Sequence, residues 1–158
     1  MDVFKADLND WPAVERFYEK FLASKFAHRF DISLEGLQRY FKLSLVDPRY
    51  AVLCVRDQDL VGLSILYEIL SPDIFAGFLA QTFLHIVYVE PKAPREASDL
   101  MHQAIELWAR SRKHNYIIGN VRFRPTKKGA FKFRAASKRY GYEPLKIMMG
   151  RPVNYEEG

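Results

Sequence analysis

The sequence predicts an α+β domain, a mixed α/β sandwich in which one central sheet carries helices on both faces. The 158 residues are 49% apolar, enough for one domain with a sizeable core. Apolar residues recur at helical spacing in some segments and form short strand-like runs in others. The predicted order is strand, two helices, three strands, helix, strand, helix, strand. We expect a single domain over residues 1–150 and a polar tail over residues 151–158.

The helices are predicted from their capping residues and apolar stripes. The first stripe contains Trp11, Phe17 and Phe21 and follows a proline at position 12, where the missing N–H costs nothing. The second stripe follows Ser33, a good N-cap, and Asp47 with the next proline ends it. The predicted helix starts are Asn9 or Asp10, Ser33, Pro94 or Ala97, and Thr126, the last helix running to Arg139.

The strands are predicted from apolar runs rich in β-branched and aromatic residues. They cover residues 3–6, 50–56, 60–70, 81–89, 115–123 and 145–149. A short polar turn, residues 57–59, separates the second run from the third and predicts an antiparallel hairpin. The strand–helix–strand order around residues 81–123 predicts a parallel crossover.

Composition indicates the cellular compartment in which we expect this protein. The single cysteine, Cys54, lies in an apolar run and is predicted to be a buried, unreactive thiol. The first residues have no basic segment followed by an apolar one, and no apolar run reaches the roughly 20 residues of a membrane span. We therefore expect a cytoplasmic protein without a membrane partner.

Charge is distributed unevenly along the chain. Residues 107–142 contain 11 basic residues and no acidic residue, although the whole chain has a net charge of only +5. Phe123, Phe131 and Phe133 lie among these basic residues, a composition that suits nucleic-acid backbone contact with base stacking. The alternative is a solvated basic surface.

Four stretches resemble the GNAT superfamily of N-acetyltransferases. Residues 60–63 (LVGL) resemble the start of its third strand, and residues 85–91 (HIVYVEP) resemble its central strand ending in V-x-P. Leu100 and Met101 resemble apolar positions of its cofactor-side helix. Residues 135–144 (AASKRYGYEP) resemble its C-terminal helix ending in G-[FY]-x-P. The resemblance covers about residues 3–150 and implies the GNAT-like acyl-CoA N-acyltransferase fold.

The resemblance implies acetyl-CoA as cofactor, with its pyrophosphate on the turn before the third helix. The implied cofactor-binding residues are Val87, Val89, Lys92, Arg95, Glu96, Ala97 and Ser98. The family pattern has glycines at about Arg95 and Ala97, and a Cβ there is expected to obstruct backbone approach to phosphate. Pro94 removes one N–H donor, whereas Lys92 and Arg95 offer charged side chains instead. The cofactor site is thus either altered or lost.

Four residues are candidates for proton transfer. His85, on the central strand, is the best candidate base by type and position, because histidine titrates near neutral pH; the alternative is a histidine hydrogen-bonded within the sheet. Glu68 on the adjacent strand is a second candidate base, with a solvent-facing carboxylate as the alternative. The family's usual acid, a tyrosine, is replaced by Ser137, and Tyr140 lies nearby. His28, His102 and His114 show no pairing, and no Cys/His spacing indicates a metal site.

Three functions follow as hypotheses. The first is an N-acetyltransferase acting on an unknown amine. The second is a GNAT-like domain without catalysis that binds a protein assembly partner, in a virion if it is a phage protein, since GNAT-like proteins with eroded motifs occur in tailed phages. The third is nucleic-acid binding through the basic C-terminal third, which depends on charge alone.

Overall fold

The computed structural model describes residues 1–23, 33–70, 80–119 and 138–142, and the chain divides into two compact units, residues 1–120 and 121–158. The first unit contains a five-stranded sheet with three α-helices, all within the described residues. In the second unit, residues 138–140 are helical and Gly141 follows with φ of +73°, a backbone conformation that glycine adopts at helix ends. The predicted final strand, the tail and most of the fourth helix lie outside the described residues.

Among the described residues of the first unit, three α-helices and five strands follow one another. They are β1 (Asp2–Lys5), α1 (Trp11–Leu22), α2 (Leu34–Val46), β2 (Tyr50–Asp57), β3 (Asp59–Leu70), β4 (Ala80–Val89), α3 (Arg95–Ser111) and β5 (Tyr116–Gly119). The sheet order is β1-β2-β3-β4-β5, and only the β4–β5 pair is parallel. The predicted hairpin, the crossover and the mixed sheet with helices are confirmed.

Helix starts follow the capping chemistry with one difference. Ser33 Oγ accepts a hydrogen bond from the backbone N–H of Gly36 at 3.0 Å, as expected for the N-cap of α2. Asp10 occupies the N-cap position of α1 without bonding that helix, because its carboxylate accepts from the N–H of Asp7 at 2.8 Å. That bond belongs to a capping box around a short 3-10 turn, Leu8–Asp10.

Two hydrophobic cores lie on opposite faces of the sheet. On one face α1 and α2 bury Phe17, Tyr18 and Phe21 against β2 and β3. On the other face α3 buries Ala97, Met101 and Ile105 against the sheet. Cys54 lies in the first core, where burial raises the pKa of its thiol to about 12, in agreement with the predicted unreactive cysteine.

Among the described residues, no helix is both long enough and apolar enough to cross a membrane.

Candidate functional site

His85 lies at an irregularity in β4. Ile65 of β3 pairs with Ile86 of β4, but the next residue, Leu66, pairs with Leu84, so His85 is an extra residue that forms a β-bulge. The side chain is exposed, and its ring lies 4.7 Å from the ring of Tyr40 on α2. His85 therefore faces the α1/α2 side of the sheet, where an external molecule can reach its imidazole.

An aromatic patch surrounds His85 on this face. Tyr50, Tyr67 and Phe83 pair across β2, β3 and β4, with ring centroids 6.0 Å apart for the first pair and 4.9 Å apart for the second. Partial burial and neighbouring tyrosines raise the pKa of Tyr40 and of Tyr67. The rings other than His85 are all partly exposed. The patch consists of Tyr40, Tyr50, Tyr67, Phe83 and His85.

Glu68 lies on the opposite face in a network of polar side chains. Its Oε2 is 2.6 Å from His114 Nε2 and accepts from Arg112 Nε at 3.1 Å, and His114 Nδ1 is 2.6 Å from Thr82 Oγ1. The Glu68 side chain is only 13% exposed, so the expected solvent-facing carboxylate is wrong. His114, which shows no partner in the sequence, is fully paired here.

The surroundings of Glu68 make it a weak base. The hydrogen bond from His114, followed by that from Arg112, lowers the pKa of its carboxyl against the opposing effect of burial. The hydroxyl–imidazole–carboxylate order of Thr82, His114 and Glu68 is also found in nucleophilic triads. Thr82 and the His114 side chain are both fully buried, however, so no substrate reaches the hydroxyl. The network anchors the C-terminal end of α3 to the sheet.

The turn between β4 and α3 is where a phosphate site is expected. Val87 pairs with Ser64 and Val89 with Gly62, and the first helical residue is Arg95. Lys92, Arg95 and Glu96 are exposed, and Ser98 is half-buried. No side chain caps this helix start, because its N-cap residue is a proline. The first-turn N–H groups therefore have no side-chain cap, and Lys92 and Arg95 bring two exposed cationic side chains to this turn.

Ala97 departs from the sequence expectation for this turn. Its side chain is fully buried and packs with Met101 and Ile105 against the sheet. The Cβ at this position therefore does not obstruct the solvent side of the turn. The N–H of Ala97 donates to Pro94 O at 2.9 Å, and the N–H groups of Arg95 and Glu96, which precede it, have no acceptor within the helix.

The remaining candidates belong to the second unit. Ser137 lies outside the described residues. Tyr140 is half-buried at the end of a helical segment, and the Arg139 guanidinium lies 5.3 Å from the centroid of its ring. Most of the predicted basic cluster also lies outside the described residues. Within the described ranges, no group of three or more His, Cys, Asp or Glu side chains is placed to bind a metal ion.

Sequence reasoning missed the aromatic patch and the Glu68 network. The rings of the patch come from four separate elements, and the strand register together with the packing of α2 brings them together. Glu68 and His114 are 46 residues apart and meet only because β5 returns parallel to β4. A strand-pairing argument could have placed Tyr50 beside Tyr67, since the predicted hairpin makes their two strands antiparallel neighbours.

Solved acetyltransferases share this fold. The chain is similar to an aminoglycoside 6'-N-acetyltransferase from Acinetobacter haemolyticus, with TM-score 0.72 and 13% identity over 99% of this chain and 100% of the other. It is similar to a predicted acetyltransferase from Clostridium acetobutylicum solved with acetyl-CoA, with TM-score 0.72 and 16% identity over 96% and 95%. The aminoglycoside acetyltransferase AAC(6')-Iy, solved with a CoA bisubstrate analogue, gives TM-score 0.73 and 11% identity over 98% of both chains.

These likenesses show that the chain has the GNAT fold predicted from the sequence. No family model matches the sequence, and no curated protein matches it significantly.

Proposed function

We propose that this chain is a GNAT-like N-acyltransferase that transfers an acetyl group from acetyl-CoA to an amine. The observation that carries the proposal is the β-bulge that exposes His85 on β4. One structure of the same fold was solved with acetyl-CoA, and another with CoA. An accessible imidazole at this position is the group that an acyl transfer to an amine requires as a base.

The turn before α3 supports the proposed binding of acetyl-CoA. A CoA pyrophosphate needs N–H donors and positive charge, and the first turn of α3 offers the uncapped N–H groups of Arg95 and Glu96. The exposed side chains of Lys92 and Arg95 add charge-assisted hydrogen bonds. The Glu96 carboxylate opposes a phosphate, but it is exposed and free to turn into solvent. The residues present therefore fit the group without glycines.

Each side of the sheet has its own part in the proposed reaction. Acetyl-CoA would supply an activated acetyl thioester, and the backbone of β4 at Val87 and Val89 would hold it. His85 accepts the proton that the acceptor ammonium must lose before its nitrogen can attack. Glu68 is the poorer base of the two candidates, because its carboxyl is already paired and has a lowered pKa.

Binding and turnover test the proposal in sequence. Acetyl-CoA at 100 times its Kd should stabilise the folded chain by about 2.7 kcal/mol and raise Tm by roughly 5–10 °C. Release of free CoA thiol in the presence of a panel of amines then measures transfer. His85→Gln should lower turnover by about 100-fold or more at saturating acetyl-CoA, with the Tm shift retained.

A matched control is His102→Gln, the same change on α3, on the opposite face of the sheet. It should keep turnover within about twofold of the parent chain, as expected for a substitution away from the proposed base. The absence of any Tm shift at millimolar acetyl-CoA would contradict the proposal and favour the non-catalytic alternative. Unchanged turnover in His85→Gln would remove His85 as the base.

A further inference from the structure

We infer that the acceptor of the proposed transfer is a primary alkylamine that bears an aromatic ring, bound on the aromatic patch around His85. The inference depends on the proposed function, since it names the acceptor class of that same site. Four carbocyclic rings and one imidazole form a continuous series of contacts on the α1/α2 face of the sheet. The candidate base is itself a member of this series.

The shape of the patch suits an aromatic ligand. Tyr50 stacks on Tyr67 at an interplanar angle of 26°, and Tyr40 lies over His85 at 30°. Phe83 connects the two pairs through contacts with Tyr67 at 4.9 Å and His85 at 6.4 Å. A flat ring can pack against such a surface in offset or edge-to-face contact, the arrangements that aromatic pairs prefer.

The rings of the patch are partly exposed to solvent. The tyrosines and Phe83 are half-buried, and His85 is exposed. Neighbouring aromatic side chains that stay partly in water present apolar area that a ligand can cover. Covering it with another ring gains both the buried area and the ring–ring contact, whereas a thin aliphatic chain gains less of each.

The five residues of the patch carry no negatively charged side chain. The polar groups of the patch are phenol hydroxyls and an imidazole, and none of its five residues carries a carboxylate. The ion pair that precedes Tyr50, Asp47 with Arg49, is closed on itself by hydrogen bonds as short as 2.7 Å and has no net charge. A polycationic acceptor such as an aminoglycoside therefore finds no compensating negative charge on the patch. An acceptor with a single ammonium group needs no compensating negative charge once His85 takes its proton.

The proposed transfer balances as follows in atoms and protons. The acceptor ammonium gives one proton to His85, its nitrogen forms the amide bond with the acetyl carbon, and the thioester C–S bond breaks. The second nitrogen proton is lost as the amide forms and goes to the departing sulfur, which would give the CoA thiol, while His85 passes its proton to water. No oxidant or reductant takes part. The role of the patch is to hold the ring so that its amine reaches His85.

Binding to the full chain without acetyl-CoA tests the inference separately from catalysis. The probes are 2-phenylethylamine, butylamine and the aminoglycoside kanamycin, titrated by calorimetry at pH 7.5. We expect 2-phenylethylamine to bind at least tenfold more tightly than the other two. Tyr40→Leu and Phe83→Leu should each weaken that binding by about 2- to 10-fold, the value of one aromatic contact.

Matched variants show whether a loss of binding is specific to the aromatic patch. Tyr116→Leu, a partly exposed tyrosine on β5 outside the patch, should leave the affinity for 2-phenylethylamine unchanged. Two patch variants on different elements, α2 and β4, protect the test against one that fails to fold; circular dichroism melting checks each. His85→Gln should retain ring binding within about threefold while transfer to the same amine falls.

The outcomes separate the inference from the proposed function. Ring-selective binding that is lost in the patch variants, with acetyl transfer, supports both. The same binding without any acetyl transfer supports the aromatic site and overturns the acyltransferase. Acetyl transfer to butylamine or kanamycin as efficient as to 2-phenylethylamine overturns the inference and leaves the acyltransferase standing. Equal binding of all three probes also overturns the inference.

Discussion

Two ionisable residues on neighbouring strands are held in opposite ways. His85 protrudes at a bulge and is exposed, whereas Glu68 is enclosed by His114 and Arg112 on the other face of the sheet. Burial alone would raise the pKa of the Glu68 carboxyl, but the hydrogen bonds outweigh it and the pKa falls below the ordinary 4.5. A carboxylate stabilised in this way is suited to fastening α3 and unsuited to accepting protons.

The paired carboxylate of Glu68 predicts a pH-dependent contribution to stability. Because its folded pKa is below its unfolded value, the contribution is fully present above about pH 4.5 and is lost as pH falls through the folded pKa. Glu68→Gln should lower the free energy of unfolding by about 1–3 kcal/mol at pH 7. The difference between the parent chain and the variant should shrink below pH 4.5. Urea denaturation at pH 7 and at pH 3.5 measures both.

Glu35→Gln is the matched control for that prediction. Glu35 pairs with Arg39 on the surface of α2, with a side chain that is 82% exposed, so its removal should change stability by less than about 0.5 kcal/mol. A Glu68→Gln variant as stable as the Glu35→Gln variant at pH 7 would show that the network contributes nothing to folding.

Residue type and position in an apolar run were enough to predict a buried Cys54. They were not enough for Glu68, because its partners lie in residues 112–114, beyond the whole of α3. A sequence shows which side chains can pair, but the pairing itself depends on where β5 returns in the sheet. Glu68 could therefore be placed on the right strand and still be assigned the wrong surroundings.

At the scale of elements, the proposed binding of acetyl-CoA depends on the connection between β4 and α3. The turn has no glycine, and its helix starts after a proline that provides no side-chain cap. The uncapped first turn compensates in part, since the N–H groups of Arg95 and Glu96 have no acceptor within the helix and the turn carries two exposed cationic side chains. Charge, rather than close backbone approach, is therefore expected to bind a pyrophosphate here.

Removal of those charges should weaken CoA binding. Lys92→Gln and Arg95→Gln are each expected to raise the Kd for CoA by about 3- to 10-fold, a moderate effect because both side chains are exposed and screened by salt. The effect should decrease further between 50 mM and 500 mM NaCl. Calorimetric titration with CoA measures it. Arg39→Gln, an exposed cation on α2, is the charge-matched control and should leave Kd unchanged.

The helix starts show what element-level sequence reasoning can and cannot reach. Ser33 was identified as a cap because a serine before a helical stripe has few other uses. Asp10 was also selected, yet its carboxylate caps a 3-10 turn instead, since Asp7 three residues earlier competes for it. The bulge at His85 had no signal in the sequence, because β4 reads as a continuous apolar strand with or without it.

At the scale of the whole molecule, the sheet of the first unit separates two sets of tasks. The α1/α2 face carries His85 and the aromatic patch, and the α3 face carries α3 itself and the Glu68 network. The order of the elements predicted this division, because a strand–helix–strand crossover places its helix on one face and leaves the other to the N-terminal helices. The contents of each face required the register.

Gly62 tests how closely the α3 face is packed. A Cβ built at this position would lie 3.2 Å from Val89 Cγ2 and 3.4 Å from both Met101 Cε and Val55 Cβ. Alanine fits if the Val89 side chain shifts by a few tenths of an ångström, and it restricts the unfolded chain, so Gly62→Ala should change stability by less than about 1 kcal/mol. Valine adds two methyl groups for which there is no space.

We therefore expect Gly62→Val to lower the free energy of unfolding by about 1–3 kcal/mol relative to Gly62→Ala, the usual effect of overpacking a core. Urea denaturation of the two variants, with the parent chain beside them, measures the difference. The m-value should stay constant, because the change concerns native packing rather than the surface exposed on unfolding. Equal stability of the alanine and valine variants would mean that α3 is not held against β3 as closely as these distances require. A tight contact here also fixes the position of the first turn of α3, so Gly62→Val should weaken CoA binding where Gly62→Ala does not.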